Sequence, residues 1–277
     1  MLPPDLLSAN VDALVRAQGF APHVANVRDD MRVSMHGNEL RAELCIGDND
    51  WRPVDFPAAG SGDGARWLRE ACGAESTQVI VTGIGLGHAL DQTNALGTLK
   101  VLAIEPDPGL AALLLARRDW RDWVSSGRLR LLTGPDYRGA TDVARFLDGL
   151  SEIPIVAHPL RLQIEPRAVA VATVVASRVA KSARSNGEAR RRFAGPYLLQ
   201  TLANLPAIGG EADVNVLDQA CRGVPAIIVG AGPSLDANVA DVRRLGDRGV
   251  IIAADTAVRP LISSTPVRWR AARPPVR

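Results

Sequence analysis

Gly230-Ala231-Gly232-Pro233-Ser234-Leu235-Asp236 is the stretch whose residue types could most readily do chemistry. Two glycines after an apolar run allow a tight turn and let a ligand approach the backbone. Pro233 has no N–H to leave unpaired and suits the first turn of a helix. That helix would aim its free N–H groups and the positive end of its dipole at the turn, an arrangement that holds phosphate. Ser234 adds a hydroxyl for a phosphate oxygen, and Asp236 complements the helix N-terminus. Asp255 and Thr256 end the next apolar run, twenty-five positions after Gly230. Residues at the carboxyl ends of parallel strands line the ligand crevice, so these two could meet a ribose, a base or a metal.

A similar pattern stands earlier in the chain. Gly83-Ile84-Gly85-Leu86-Gly87 follows Val79-Ile80-Val81, and Glu105 ends the next apolar run twenty-two positions after Gly83. An acid there is where an adenosine ribose would be held, so Gly83, Gly85, Gly87 and Glu105 form a second candidate nucleotide site. The same pattern serves S-adenosylmethionine methyltransferases, or a scaffold that binds nothing. His88 reads as a packed or capping residue, His36 falls in a hairpin turn, His23 in a loop, and His158 precedes a proline. No Ser-His-Asp set follows from spacing, and no catalytic residue is assigned. Arg190-Arg191-Arg192 could meet a phosphate but reads as a solvated helix face.

The elements that must position these residues come from periodicity. Helical spacing covers 5–20. Alternation in Met31–Met35 and Leu40–Leu44 about Gly37-Asn38 predicts a β-hairpin. Pro53, Pro57 and Gly60 to Gly64 mark a loop before a helix near 65–72. From Gln78 strands at 79–81, 101–104, 129–132 and 153–157 alternate with helices at 88–96, 110–118 and 142–150, which implies a parallel sheet. Residues 165–206 read as two helices, the second stopping at Pro206, with Gly209-Gly210 as a joint. The strand–helix–strand rhythm restarts at Ala226-Ile227-Ile228-Val229. The expected fold is therefore α/β. A helix and hairpin region spans 1–75, a Rossmann-like domain 76–160, a helical connector 161–210 and the start of a second Rossmann-like domain 211–264. An Arg/Pro-rich tail occupies 265–277.

Composition excludes several classes. Apolar residues make up 47% and aromatics 4%, which suits helices on parallel strands. A net charge of +2 calls for no nucleic-acid or membrane partner. Cys45, Cys72 and Cys221 are scattered, so neither a disulfide framework nor a zinc site is expected. No metal ligand set is assigned. The N-terminus lacks the pattern of a signal peptide, and no apolar run reaches the ~20 residues of a membrane span. A cytoplasmic, soluble protein is the expectation.

The residues also carry a resemblance. Ala226 to Asp236, with Ile251-Ile252-Ala253-Ala254-Asp255-Thr256-Ala257 and Pro260-Leu261, resembles the core motif of the motility-associated-factor glycosyltransferases. Their central domain is shared with archaeal 6-hydroxymethylpterin diphosphokinases, and the Gly-x-Gly-Pro-Ser-Leu string is similar to that of bacterial sialyltransferases using a CMP-sugar. The upstream glycine turn and the connector Arg191-Arg192-Phe193 to Leu205-Pro206 favour the motility-associated family. The resemblance implies transfer of a nonulosonic acid, such as pseudaminic acid, from a CMP-sugar to Ser or Thr of flagellin. Gly230, Gly232, Ser234 and Asp236 would then contact the nucleotide phosphate, with Asp255 and Thr256 beside the sugar or cytidine. Two alternatives stand beside it: a diphosphokinase using ATP and Mg²⁺, and a non-catalytic binding protein. Past Ser264 the sequence departs from the family pattern into Thr265–Arg277. The chain holds thirty arginines against two lysines, Lys100 and Lys181. A truncated or frameshifted product, inactive as it stands, is the expectation.

Overall fold

The computed structural model describes residues 4–56, 63–91, 97–209, 215, 219, 221–245 and 248–263. It is an α/β protein whose chain divides into two compact units, Met1–Pro196 and Tyr197–Arg277.

The first unit is built on a four-stranded parallel sheet of β4 (Gln78–Thr82), β5 (Lys100–Glu105), β6 (Leu129–Thr133) and β7 (Ile155–Ala157), in the order β6-β5-β4-β7. The near-continuous apolar runs of β4 and β5 place them in the middle, buried on both faces. Side chains alternate between two cores, as a period of two requires. Val79, Val81, Val101, Ala103, Leu129 and Leu131 meet α1 (Pro4–Gln18), α3 (Pro108–Arg117) and α4 (Arg121–Ser125). Ile80, Leu102, Ile104 and Leu132 face α7 (Pro166–Ile208) through Ala172, Ala176, Val179, Ala180 and Ala183.

Ahead of the sheet, β1 (Met31–His36), β2 (Glu39–Ile46) and β3 (Asp50–Pro53) form an antiparallel meander. The hairpin turn falls at Gly37-Asn38, as its alternation predicts. Met31, Leu40, Ala42, Leu44 and Val54 pack on Leu86, Leu110 and Leu113 of the sheet domain. Helix α2 (Asp63–Cys72) follows. Two short helices, α5 (Ala140–Val143) and α6 (Pro159–Ile164), flank β7.

Several expectations are corrected. Pro53 ends a third strand rather than opening a loop; β3 is an exposed edge, where a proline is tolerated. The helix expected at 142–150 is replaced by α5 and a 3₁₀ turn, Ala144–Phe146. Gly149 then crosses α7 so closely that an added Cβ would meet the Ala183 carbonyl. The two helices expected in 165–206 are one helix of 43 residues. Pro206 does not stop it: the missing N–H removes one ladder bond, and the helix runs on to Ile208. Gly209 N–H closes on Leu205 O. Of the helix expected at 88–96, a 3₁₀ turn covers His88–Leu90 and residues 92–96 lie outside those described, as do Gly60 to Gly62, Gly210 and the 265–277 tail.

The second unit contains a parallel pair, β8 (Ala226–Val229) and β9 (Val250–Ala253), with α8 (Pro233–Leu245) and α9 (Asp255–Ser263). Val229, Leu235, Ala257 and Leu261 form its core. The other sheet face is open, with Ile228 and Ile252 exposed. Among the described residues no helix is long and apolar enough to cross a membrane.

Candidate functional site

In the second unit the sequence motif becomes a strand, an open turn and a helix. β8 ends at Val229, the chain runs through Gly230-Ala231-Gly232, and α8 begins at Pro233. Leu235 N–H bonds Gly232 O at 2.8 Å, closing the first turn of the helix. The β8–β9 register sets Val229 opposite Ala253, and Ala254 N–H reaches Val229 O at 2.9 Å. Gly230 and Asp255 therefore leave adjacent strands at the same carboxyl edge, and Asp255 opens α9. Gly230, Ser234, Asp236, Asp255 and Thr256 are all exposed.

Neither Gly230 nor Gly232 has the positive φ that favours glycine. An added Cβ at Gly230 would meet nothing within 4 Å, and at Gly232 only Ser234 Oγ at 3.8 Å. Among the described residues, neither backbone conformation nor packing requires glycine at these positions. The turn leaves its space to solvent or to a ligand.

The first unit's motif has the opposite character. Gly83, Gly85 and Gly87 have φ of +71, +63 and +78°. A Cβ at Gly83 would lie 3.0 Å from Arg161 Cβ, and one at Gly85 would lie 2.9 Å from Val54 O. The loop amides are bonded within the protein: Gly83 N–H to Ile104 O, Gly87 N–H to Ile84 O, Gly85 N–H to Glu105 Oε2 at 2.8 Å, and His88 N–H to Asp55 Oδ2 at 3.1 Å.

Glu105 is fully buried. Its Oε1 accepts from Asp107 N–H at 3.0 Å and from Arg161 Nη2 at 3.0 Å. Burial pushes its carboxyl above the usual range, against the pull of Arg161 and of the Asp107 and Gly85 amides. Arg161, also fully buried, pairs with Glu165, and Glu165 with Arg28. Asp107 caps α3 by accepting from Gly109 N–H at 2.7 Å and Leu110 N–H at 3.1 Å.

Asp55 follows β3 and binds three donors. Besides His88 N–H, its Oδ1 accepts from Phe56 N–H at 2.7 Å and His158 Nε2 at 3.2 Å. The His158 ring packs against both Phe56 and Trp67, at 4.6 and 5.3 Å between centroids, in a cluster of three rings. His88 is buried, with Nε2 3.2 Å from Leu40 O and Nδ1 3.4 Å from Asp91 Oδ2. Asp91 is further held by a two-pronged pair with Arg117. Burial alone would raise the Asp91 carboxyl, but His88 and Arg117 bring it down to about 2. Beside this cluster is a cavity of about 470 Å³ lined by Leu40, Pro53, Asp55, Phe56, Leu86 and His88.

Sequence reasoning missed Asp55 and Arg161 and set His158 aside. Each meets a partner across long stretches of chain, and a lone aspartate beyond a strand or a histidine before a proline carries no local signal. The structure brings Glu105 to the Gly83–Gly87 turn, as expected, but with the carboxylate already bonded to that turn.

Comparison with known proteins adds three findings. An uncharacterized protein of Treponema pallidum (strain Nichols) is 27% identical over 163 residues, 58% of this chain and 55% of its own length. The solved MAf glycosyltransferase from Magnetospirillum magneticum AMB-1 is similar at 13% identity and TM-score 0.33, over 94% of this chain and 47% of that one. The chain thus spans about half the length of each. The segment that carries the open turn is the one with a family match: residues 199–265 match the family model described as 6-hydroxymethylpterin diphosphokinase MptE-like, in agreement with the resemblance carried by the Gly-Pro-Ser-Leu-Asp string.

Proposed function

We propose that the Pro225–Thr256 unit grips the phosphate of an activated donor in a group-transfer reaction. The donor in this reading is a CMP-activated nonulosonic acid, and the acceptor a Ser or Thr of flagellin. The observation that carries the reading is the open turn: Gly230 and Gly232 are glycines with neither positive φ nor a crowded Cβ position. A ligand that must touch the backbone supplies the missing reason for them. The unit's place within the MptE-like segment supports phosphate binding.

The chemistry asked of these residues is modest. A nonulosonic acid leaves its nucleotide through an oxocarbenium-like state, with negative charge collecting on the departing phosphate. Leu235 N–H is taken by Gly232 O, but the Ser234 N–H at the start of α8 would point, with the helix dipole, toward that charge. Ser234 would donate its hydroxyl to a phosphate oxygen, and this preorganised set of dipoles is the main stabilising element. Asp255 and Thr256, at the end of the adjacent strand, would accept and donate hydrogen bonds to hydroxyls of the sugar or ribose.

One observation favours a second reading, pyrophosphoryl transfer from ATP: the description of the matching family model. Mg²⁺ would neutralise charge on the ATP phosphates. Asp255 fits such an ion, since Mg²⁺ is commonly held by one or two carboxylates together with substrate phosphates. Among the described residues no group of three or more His, Cys, Asp or Glu side chains is clustered for a metal. A third reading is a fold that binds no nucleotide.

Calorimetric titration of the full chain with CMP, and separately with ATP and Mg²⁺, separates the readings. CMP should bind, and Ser234→Ala should weaken it about tenfold, the loss of one hydrogen bond to a charged oxygen. Preference for ATP with Mg²⁺ would replace the sugar-transfer reading with the kinase one. Binding of neither would leave a non-catalytic fold.

A further inference from the structure

We propose that the Gly83–Gly87 turn is a socket for the chain's own Val54-Asp55-Phe56 strap rather than a site for a nucleotide or S-adenosylmethionine. In an open α/β sheet the crevice beyond the carboxyl ends of the strands is the place where a cofactor binds. Here three elements of the chain's own fold fill it.

The first is the strap that leaves β3. Asp55 presents a carboxylate to His88 N–H at the end of the glycine turn, much as an anionic ligand would. His158, at the carboxyl end of β7, anchors the same carboxylate from the opposite side. Phe56 and Trp67 both pack against that imidazole. The Val54 carbonyl occupies the space over Gly85, and that contact together with the positive φ explains why the position is glycine.

The second element is Glu105. An acid here would hold a ribose if its oxygens faced the crevice. Instead Oε2 is bonded to the Gly85 amide, and Oε1 to the Asp107 amide and Arg161. The third element is Arg161, from α6, whose stem lies against Gly83. A ligand would have to displace a fully buried arginine from a fully buried carboxylate and break the ion pair between them.

The turn's outer side is fastened as well. Arg117 Nε donates to Leu86 O at 2.9 Å, and its guanidinium holds Asp91. Leu86 packs beneath the hairpin with Leu40, Ala42 and Val54. The hairpin and strap are thus docked through the groups that a nucleotide would use, and the motif performs an internal binding function.

Residue-resolved amide hydrogen exchange on the full chain tests this, with S-adenosylmethionine, NAD⁺ and ATP as separate probes. The Gly85 and His88 amides should exchange slowly in the free chain, and none of the probes should alter their rates. Asp55→Ala should speed His88 exchange at least about tenfold, the ratio expected for one lost hydrogen bond, while Gly85, bonded to Glu105, changes less. Fast exchange at Gly85 in the free chain, or new protection at Gly85 or His88 on adding a probe, would overturn the proposal. If Asp55→Ala does not fold, the free-chain rates and the three probes decide. The result is independent of nucleotide binding at Gly230–Ser234, which would appear at other amides.

Discussion

At Gly83, Gly85 and Gly87 the backbone turns through positive φ, and an added Cβ would press on Arg161, Val54 or Leu114; at Gly230 and Gly232 it does neither. Both turns follow a buried-looking strand, and both are read by the same motif logic. The first is surrounded by a complete parallel sheet, a hairpin and a strap, and its acid is fully buried. The second sits on a pair of strands with one open face, and its acids are in water. A glycine that satisfies internal geometry belongs to the fold. One that satisfies none among the described residues leaves room for a ligand.

The contrast can be broken most forcefully at the two strand-end acids. Glu105→Ala leaves Arg161 buried without its main partner and should cost about 3–5 kcal/mol in urea unfolding. Asp255→Ala, at an exposed position, should stay within about 0.5 kcal/mol. Equal losses would erase the distinction between a structural and a ligand-facing carboxylate.

The glycines give the next effect. Gly85→Ala should lower stability by at least ~2 kcal/mol, from the left-handed conformation and the Val54 carbonyl together. Gly230→Ala should melt like the parent, yet weaken CMP binding in calorimetry because the methyl stands where the phosphate would come.

A smaller effect sharpens the fastening of the first turn. Asp91, held down to about 2 by His88 and Arg117, lies below its ordinary 3.8. Its contribution to stability is therefore present above pH ~4 and lost as pH falls from there toward ~2. That contribution amounts to ~2 kcal/mol. Asp91→Asn should flatten the stability–pH curve in that window and leave the curve above pH ~5 parallel to the parent's.

What could be read from the sequence follows the same division. The strands β4, β5, β6, β8 and β9 are apolar runs whose composition is their own signal, and the hairpin is announced by Gly37-Asn38. β3 carries no such signal, since Asp50-Trp51-Arg52-Pro53 is polar and lies at an edge. The continuity of α7 past Pro196 and Pro206 was hidden because proline rules mark helix ends more often than interruptions. At the sites, positions were legible and partners were not. Glu105 and Asp255 both stand at strand ends, but only the fold shows Arg161, fifty-six residues on from Glu105, closing over the first.

The central claim is that the chain's nucleotide-binding turn is the open one. Hydrogen exchange across the whole chain, with and without saturating CMP, tests it most directly. The account predicts slowed exchange at Ala231, Gly232, Ser234 and Thr256 and unchanged rates at Gly83 to His88. Slowing at Gly83 to His88, with none at Ala231 to Thr256, would contradict it.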